Sequence, residues 1–380
     1  LILLESGPDG CPATFADPVE VVEVWDPAGV APALARLEHL RASGCWIAGQ
    51  IGYEAGYALE PRLMPHMPGA RDEPLLVFGA YPGPADAAPV LAQAAESARG
   101  VALAPLVPQV DRGAYDAAFA RLMDYIGAGD VYQVNLTFPM ESRLLSGTPL
   151  QLYGALRARQ AVGFGAYLDL GTGPVVVSRS PELFFSLDAE GGIAARPMKG
   201  TAPRGADPAE DAALAADLYD SPKVRAENLM IVDLLRNDIS RIARVGSVRV
   251  PELFKVEPFA TVHQMSSLVV GRLAGPVDFA AIMAALFPCG SITGAPKIRA
   301  MEIIRELEPY PRGTYCGAIG WMAPDGRAAF NVAIRTLRIW PDGRVRLNVG
   351  GGIVQDSTAT GEWEEALWKT RYAQGLVTSG

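Results

Sequence analysis

The sequence predicts an α+β fold built on large antiparallel sheets. Two observations carry that expectation. Short apolar runs recur in pairs separated by turn residues, as in hairpins, and longer helical patterns fall between the pairs. The marks of a parallel nucleotide-binding fold are also missing. No G-x-G-x-x-G follows a strand, and GSITGAPK at 290–297 has the wrong glycine spacing for a phosphate loop, with Pro296 where a glycine should precede the lysine.

Taken in order, VEVVEVW (19–25), CWIAGQIGYEAGY (45–57) and LLVFGAY (75–81) read as strands, and PALARLEHLRASG (32–44) reads as a helix. An Ala- and Pro-rich passage over 82–110 reads as a connection. It divides an N-terminal part, 1–105, from a larger part, 106–380, within one globular unit. DRGAYDAAFARLMDYIGAGD (111–130) has apolar residues at helical spacing, and Gly127 and Gly129 stop it. VYQVNLTFPME is a strand and LYGALRAR a helix, and strands follow at 164–170, 175–178 and 183–187. The stretch RPMKGTAPRG (Arg196–Gly205) is dense in Pro and Gly and reads as a tight loop around a single lysine, Lys199. The helix at 221–243 has Ser221 to cap it and Pro222 at its first position. Strands are expected at 247–250, 267–273, 317–322, 328–340 and 345–349, and a last helix at 361–376.

Hydrophobic residues make up 49% of the 380, and charged residues 20%, a globular balance. The net charge of −9 argues against nucleic acid or an anionic membrane as the main partner. No window reaches the roughly 18 unbroken apolar residues of a membrane span. Four scattered cysteines, with no C-x-x-C pair, suit a reduced cytoplasm better than a disulfide framework or a zinc site.

Three stretches carry candidate chemistry. On the 221–243 helix, Val224, Ile231, Leu234 and Leu235 form an apolar stripe that Glu227 shares. A carboxylate there must be paired, protonated or metal-bound. Glu362 and Glu365 lie three apart on the last helix with Lys369 one turn on. They read either as a solvated face with a Glu365–Lys369 pair or as part of a magnesium site with a carboxylate from another helix. The lead-in LNVGGGIVQDS places three glycines, Gly350–Gly352, where backbone can approach a ligand. GSITGAPK lets Ser291 and Thr293 face a cleft, whereas His263 in TVHQM reads as structural.

Taken together, RPMKGTAPRG, RAENLMIVDLLRNDISRIARVGSVRVPELFKVEPFATVHQM, FPCGSITGAPKIRAMEIIRELEP, YCGAIGW, NVAIRTL and GGGIVQDS closely resemble the chorismate-utilising enzymes, in one consistent order from about 111 to 375. The resemblance implies two large antiparallel sheets packed together with helices outside. It also implies a magnesium ion held by Glu227, Glu362 and Glu365. Arg335, Tyr315 and the Gly350–Gly352 backbone match groups that hold substrate carboxylates, and Lys369 matches a further basic contact. Glu182 in SPELF matches a general acid, and His263 and Thr293 match pocket-lining positions. LLES (Leu3–Ser6) looks like a segment that lines a tryptophan site in relatives.

Two positions separate the branches of this family. Isochorismate and salicylate synthases carry a water-activating lysine where this chain has Gln133, and an amide cannot take a proton. Anthranilate synthases usually have Ala where this chain has Lys199. Aminodeoxychorismate synthases have Lys there, resembling their covalent nucleophile. The resemblance therefore implies transfer of ammonia onto chorismate, with ammonia supplied by a glutamine amidotransferase subunit. Burial and the nearby Arg196 or Arg204 are expected to lower the Lys199 pKa. Three departures stand out: Ala202 where Arg often follows Gly-Thr, Val224 where a polar residue often precedes the metal glutamate, and an added residue near Gly191.

Overall fold

The paired apolar runs close into two antiparallel sheets. The structure, a computed structural model, describes residues 1–380 except 97, 99, 260, 261 and 378–380. Among the described residues the first sheet has eleven strands. Its main path runs Gly294–Ala295, Gln133–Ser146, Arg344–Ile353, Thr336–Ile339, Val175–Ser180, Phe164–Leu168, Ile2–Leu4, Ala13–Phe15 and Ala85–Asp86. The second has ten, and its main path runs Met198–Pro203, Val262–Arg272, Gly192–Arg196, Leu183–Leu187, Ala328–Val332, Ala318–Met322, Trp46–Ile51, Leu76–Tyr81 and Glu20–Val24.

Side chains from both sheets share buried clusters, as alternating strands require when each presents one face inward. Leu4, Phe15, Ala166 and Val176 of the first sheet pack with Ala48, Tyr81, Ile319 and Trp321 of the second. The Phe15 and Tyr81 rings lie 5.4 Å apart. Leu4 and Ser6 of the LLES segment line a small cavity between the sheets with Phe164, Gly165, Ile319 and Asn331. Glu5 turns away from it and takes the Tyr153 hydroxyl at 2.6 Å and the Arg179 guanidinium.

Several expected elements change in detail. The strand at 45 ends at Ile51, and Ala55–Leu59 is a helix. The 82–110 connection contains the helix Ala88–Glu96 and short strand pieces. The last helix is two, Ala359–Trp368 and Arg371–Gln374. The run at 328–340 breaks between Ala328–Val332 and Thr336–Ile339, and Arg335 sits in the break with φ +51°.

The largest correction concerns RPMKGTAPRG. Met198–Pro203 is a strand at the edge of the second sheet, paired with Val262–Arg272. An edge position tolerates Pro203, whose ring carries no N–H to donate. The register shifts between Met198 and Thr201, and Gly200 takes φ +95°. That bulge redirects the chain at Lys199.

Candidate active site

The strand Arg344–Ile353 forms the floor. It pairs with Gln133–Ser146, setting Gly350 against Thr137, Gly351 against Leu136 and Gly352 against Asn135. A side chain at Gly350 would collide with the Leu136 carbonyl, 2.2 Å from its Cβ. The next two glycines leave room for functional side chains. A Cβ on Gly351 would lie 3.0 Å from Glu362 Oε2, 3.4 Å from Lys369 Nζ and 3.9 Å from Glu365 Oε1. One on Gly352 would lie 3.0 Å from both Lys199 Nζ and Gln133 Nε2. The glycine run thus brings Lys199, Gln133, Glu362, Glu365 and Lys369 against two adjacent residues.

Lys199 has no hydrogen-bond or ion-pair partner among the described residues. Burial holds its amine below the ordinary lysine range, helped by the Lys369 ammonium and opposed by Glu227, Glu182 and Glu365. The arginines expected to help do not. Arg196 pairs with Glu252 at 2.9 Å, and Arg204 with Asp211 at 2.7 Å. Each spends its charge on a carboxylate of its own.

Glu182 precedes the strand Leu183–Leu187 and is 4% exposed, and its Oε1 is buried without a hydrogen bond. Burial pushes its carboxyl up to about 7, against the Ser291 hydroxyl and the charges of Lys199 and Arg335. Near neutrality it can hold a proton and give it up.

Glu227 projects from Pro222–Ser240, which begins as expected, with the Ser221 hydroxyl accepting the Val224 N–H. Ile231 and Leu235 of the apolar stripe are buried and anchor the helix. Glu227 is half-buried, 4.0 Å from Lys223. Burial raises its carboxyl, and Glu362 and Glu365 add to the rise. Glu365 is held low by Lys369, 2.8 Å away, and Lys369 also donates to the Gly350 carbonyl at 2.7 Å. Glu362 accepts the Ser357 hydroxyl at 2.6 Å.

Among the described residues, no three His, Cys, Asp or Glu side chains stand close enough to hold a metal as they lie. The donor set nevertheless fits a hard cation. Glu362 and Glu365 raise the proton affinity of the Glu227 carboxyl and themselves flank Gly351, and all three offer carboxylate oxygen.

Arg335 carries a guanidinium without a hydrogen bond or ion pair among the described residues, and burial lowers its pKa. Tyr315 is buried, and its turn is fixed from the N-terminal part. Glu54 accepts the Arg312 and Gly313 N–H groups at 2.6 and 2.9 Å, and Glu73 accepts the Thr314 N–H at 2.8 Å. Both amide atoms of Gln133 are buried without partners.

Two expected pocket residues are engaged elsewhere. Thr293 gives its hydroxyl to the Cys289 carbonyl at 3.0 Å. His263 Nε2 lies 2.8 Å from Asp211 Oδ1, tying the helix Pro208–Asp220 to the edge of the sheet. No hydrogen bond or ion pair joins His263 to Lys199 or Glu227. The two departures Ala202 and Val224 pack together against Leu218, Phe254 and Met265. They replace polar groups with a small apolar cluster behind the Lys199 strand. Sequence reasoning missed Tyr372, whose buried hydroxyl lies near Arg335. Its spacing of three from Lys369 was the available signal.

A family model described as chorismate binding enzyme matches residues 9–374. The chain belongs to the chorismate-binding enzymes. It is 47% identical over 260 residues to aminodeoxychorismate synthase component 1 of Klebsiella aerogenes, covering 68% of this chain and 57% of that protein. It is 46% identical over 253 residues to anthranilate synthase component 1 of Streptomyces coelicolor, covering 66% and 49%. The chain thus spans about half the length of the curated relatives it matches. Among solved structures, anthranilate synthase component I from Streptococcus pneumoniae superposes with a TM-score of 0.78 at 26% identity, covering 96% of this chain and 91% of that one. The Escherichia coli isochorismate synthase MenF shares the fold, with a TM-score of 0.75 at 17% identity. Among the described residues, no helix is long and apolar enough to cross a membrane.

Proposed function

We propose that this chain is an aminodeoxychorismate synthase component I, converting chorismate and ammonia to 4-amino-4-deoxychorismate through a covalent bond to Lys199. Identity to relatives does not choose the branch, since the figures for the two synthases are 47% and 46%. The observation that carries the reading is the Lys199 amine itself: on a half-buried residue, without a hydrogen-bond or ion-pair partner among the described residues, lowered in pKa by desolvation, and set against Gly352 beside Gln133.

In this reading Arg335, Tyr315, Lys369 and the Gly350–Gly352 backbone bind and orient the substrate carboxylates. The neutral Lys199 nitrogen forms a bond to ring C2. The ring electrons shift and the C4–oxygen bond breaks, and Glu182 protonates the departing hydroxyl so that it leaves as water. Ammonia then bonds to C4, the electrons return, the C2–Nζ bond breaks to release Lys199 as the neutral amine, and the new C4 ammonium gives one proton back to the Glu182 carboxylate. Gln133, unable to act as a base, leaves water unactivated. Glu227, Glu362 and Glu365 would hold Mg2+, which neutralises a substrate carboxylate and withdraws electron density from the ring.

Ammonia comes from a glutamine amidotransferase subunit. Cys289 and Cys316 are buried with thiols pushed up to about 12, unsuited to glutamine hydrolysis. The enolpyruvyl group stays on the product, and a separate lyase would complete 4-aminobenzoate for folate synthesis in the cytoplasm. Replacing Lys199 with Ala is expected to lower the ammonia-dependent rate roughly a thousandfold or more. An unchanged rate would sink the covalent mechanism.

The second reading is an anthranilate synthase component I, favoured by the near-equal identity to the Streptomyces coelicolor protein. It requires release of pyruvate, which the first reading forbids.

A further inference from the structure

Tyr372 lies in the short helix Arg371–Gln374, just beyond Lys369. Its hydroxyl is buried and makes no hydrogen bond. An unpaired buried hydroxyl is costly and calls for an explanation, and a bound ligand is one that supplies the missing partner. Its charged neighbours are Arg335 and Arg179. Arg335 also lacks a partner, and it is presented by a residue in the left-handed backbone region, φ +51°, between two strands. Arg179 is fully buried. It gives one arm to Glu5 and another to the Gln160 carbonyl at 2.6 Å, and its Nε–H is left without an acceptor.

These unpartnered groups have a common chemistry. Arg335 and the Tyr372 hydroxyl are both donors, and two donors cannot satisfy each other and still leave nothing wanting. A tyrosine oxygen can accept from Arg179 while its proton is donated onward, and accepting from a cation strengthens that donation. The missing partner is therefore a compact anionic acceptor, and a carboxylate fits both the flat guanidinium and the single hydroxyl.

We infer that Tyr372 is a substrate-binding residue, its hydroxyl donating to the same substrate carboxylate that Arg335 engages. The inference rests on the proposed function, in which the substrate carries two carboxylates, and assigns Tyr372 to the one that Arg335 engages. Tyr372 sets how tightly a dicarboxylate is held against a monocarboxylate of the same ring.

The test is the dissociation constant for chorismate, with Mg2+ present, measured by calorimetry in the non-reacting K199A protein with and without Y372F. The phenylalanine removes one oxygen and preserves the ring. Because that oxygen makes no hydrogen bond within the protein, the thermal midpoint should hold or rise. The constant should weaken roughly tenfold or more, as expected for a lost hydrogen bond to a charged group. In otherwise unmodified protein, Y372F should raise KM with kcat nearly unchanged. A dissociation constant equal to that of the parent overturns the inference, as does a variant that fails to fold or melts far lower, since either would show an internal role for the hydroxyl. If the parent itself binds no chorismate, the functional reading falls and this inference with it; binding by the parent with no effect of Y372F removes the inference alone.

Discussion

Lys199 and Glu182 are opposite cases of one rule. Burial disfavours the charged form, so it lowers an amine and raises a carboxyl, and here it does both within one cluster. Both shifts favour the uncharged form, which is the form a nucleophilic amine and a general acid each require. Glu182 acts only while protonated, so activity measured at constant free ammonia should fall on the alkaline side with a midpoint near 7. The E182Q variant cannot release a proton and should lose about a hundredfold or more in rate, together with that alkaline limb. A variant with wild-type rate, or one that keeps the limb, would remove Glu182 from the role of acid. The identity of these residues was legible in the motifs, and their environment was not. Arg196 and Arg204 lie close to Lys199 in sequence but are neutralised by Glu252 and Asp211, whereas Lys369, far along the chain, is the cation that Lys199 meets. Linear proximity carries no information about which charges a fold has already paired.

At the scale of elements, strands and helices were read well where periodicity ran long, as in Arg112–Gly127 and Pro222–Ser240. The Lys199 segment misled because Pro and Gly density marks turns locally, while an edge strand with a bulge accepts the same residues. Gly200 tests that description. Its φ of +95° disfavours any side chain, and a Cβ there would lie 2.2 Å from Val224 Cγ1. Gly200→Ala should destabilise the protein by about 2–3 kcal/mol in chemical denaturation, with part recovered by adding Val224→Ala. Full stability of the single variant would contradict the bulge. Gly352 should behave differently. The nearest atoms its Cβ would meet are the side-chain ends of Lys199 and Gln133, each 3.0 Å away, rather than backbone. Gly352→Ala should therefore keep its denaturation midpoint yet lose about tenfold or more in activity, because the amine is pushed off line.

Across the whole molecule, the N-terminal part is built into both sheets. Ile2–Leu4 pairs with Phe164–Leu168, and Trp46–Ile51 pairs with Ala318–Met322. Glu54 and Glu73 also hold the turn that carries Tyr315. Residues 106–380 expressed alone should lack a cooperative unfolding transition, since both sheets would present open edges and the Arg312–Thr314 turn would lose its acceptors. A sharp transition from that fragment would mean that the two parts fold independently. These pairings were not readable in advance, because strand partners more than a hundred residues apart leave no local pattern. The order of the motifs from 111 onward was readable, and it pointed to the family whose model matches residues 9–374.

The most direct test is to supply the purified chain with chorismate, Mg2+ and an ammonium salt and to separate the products. Formation of 4-amino-4-deoxychorismate without pyruvate, lost in the Lys199→Ala variant, is the expected result. Anthranilate accompanied by pyruvate, or no consumption of chorismate even with an amidotransferase subunit added, would contradict it.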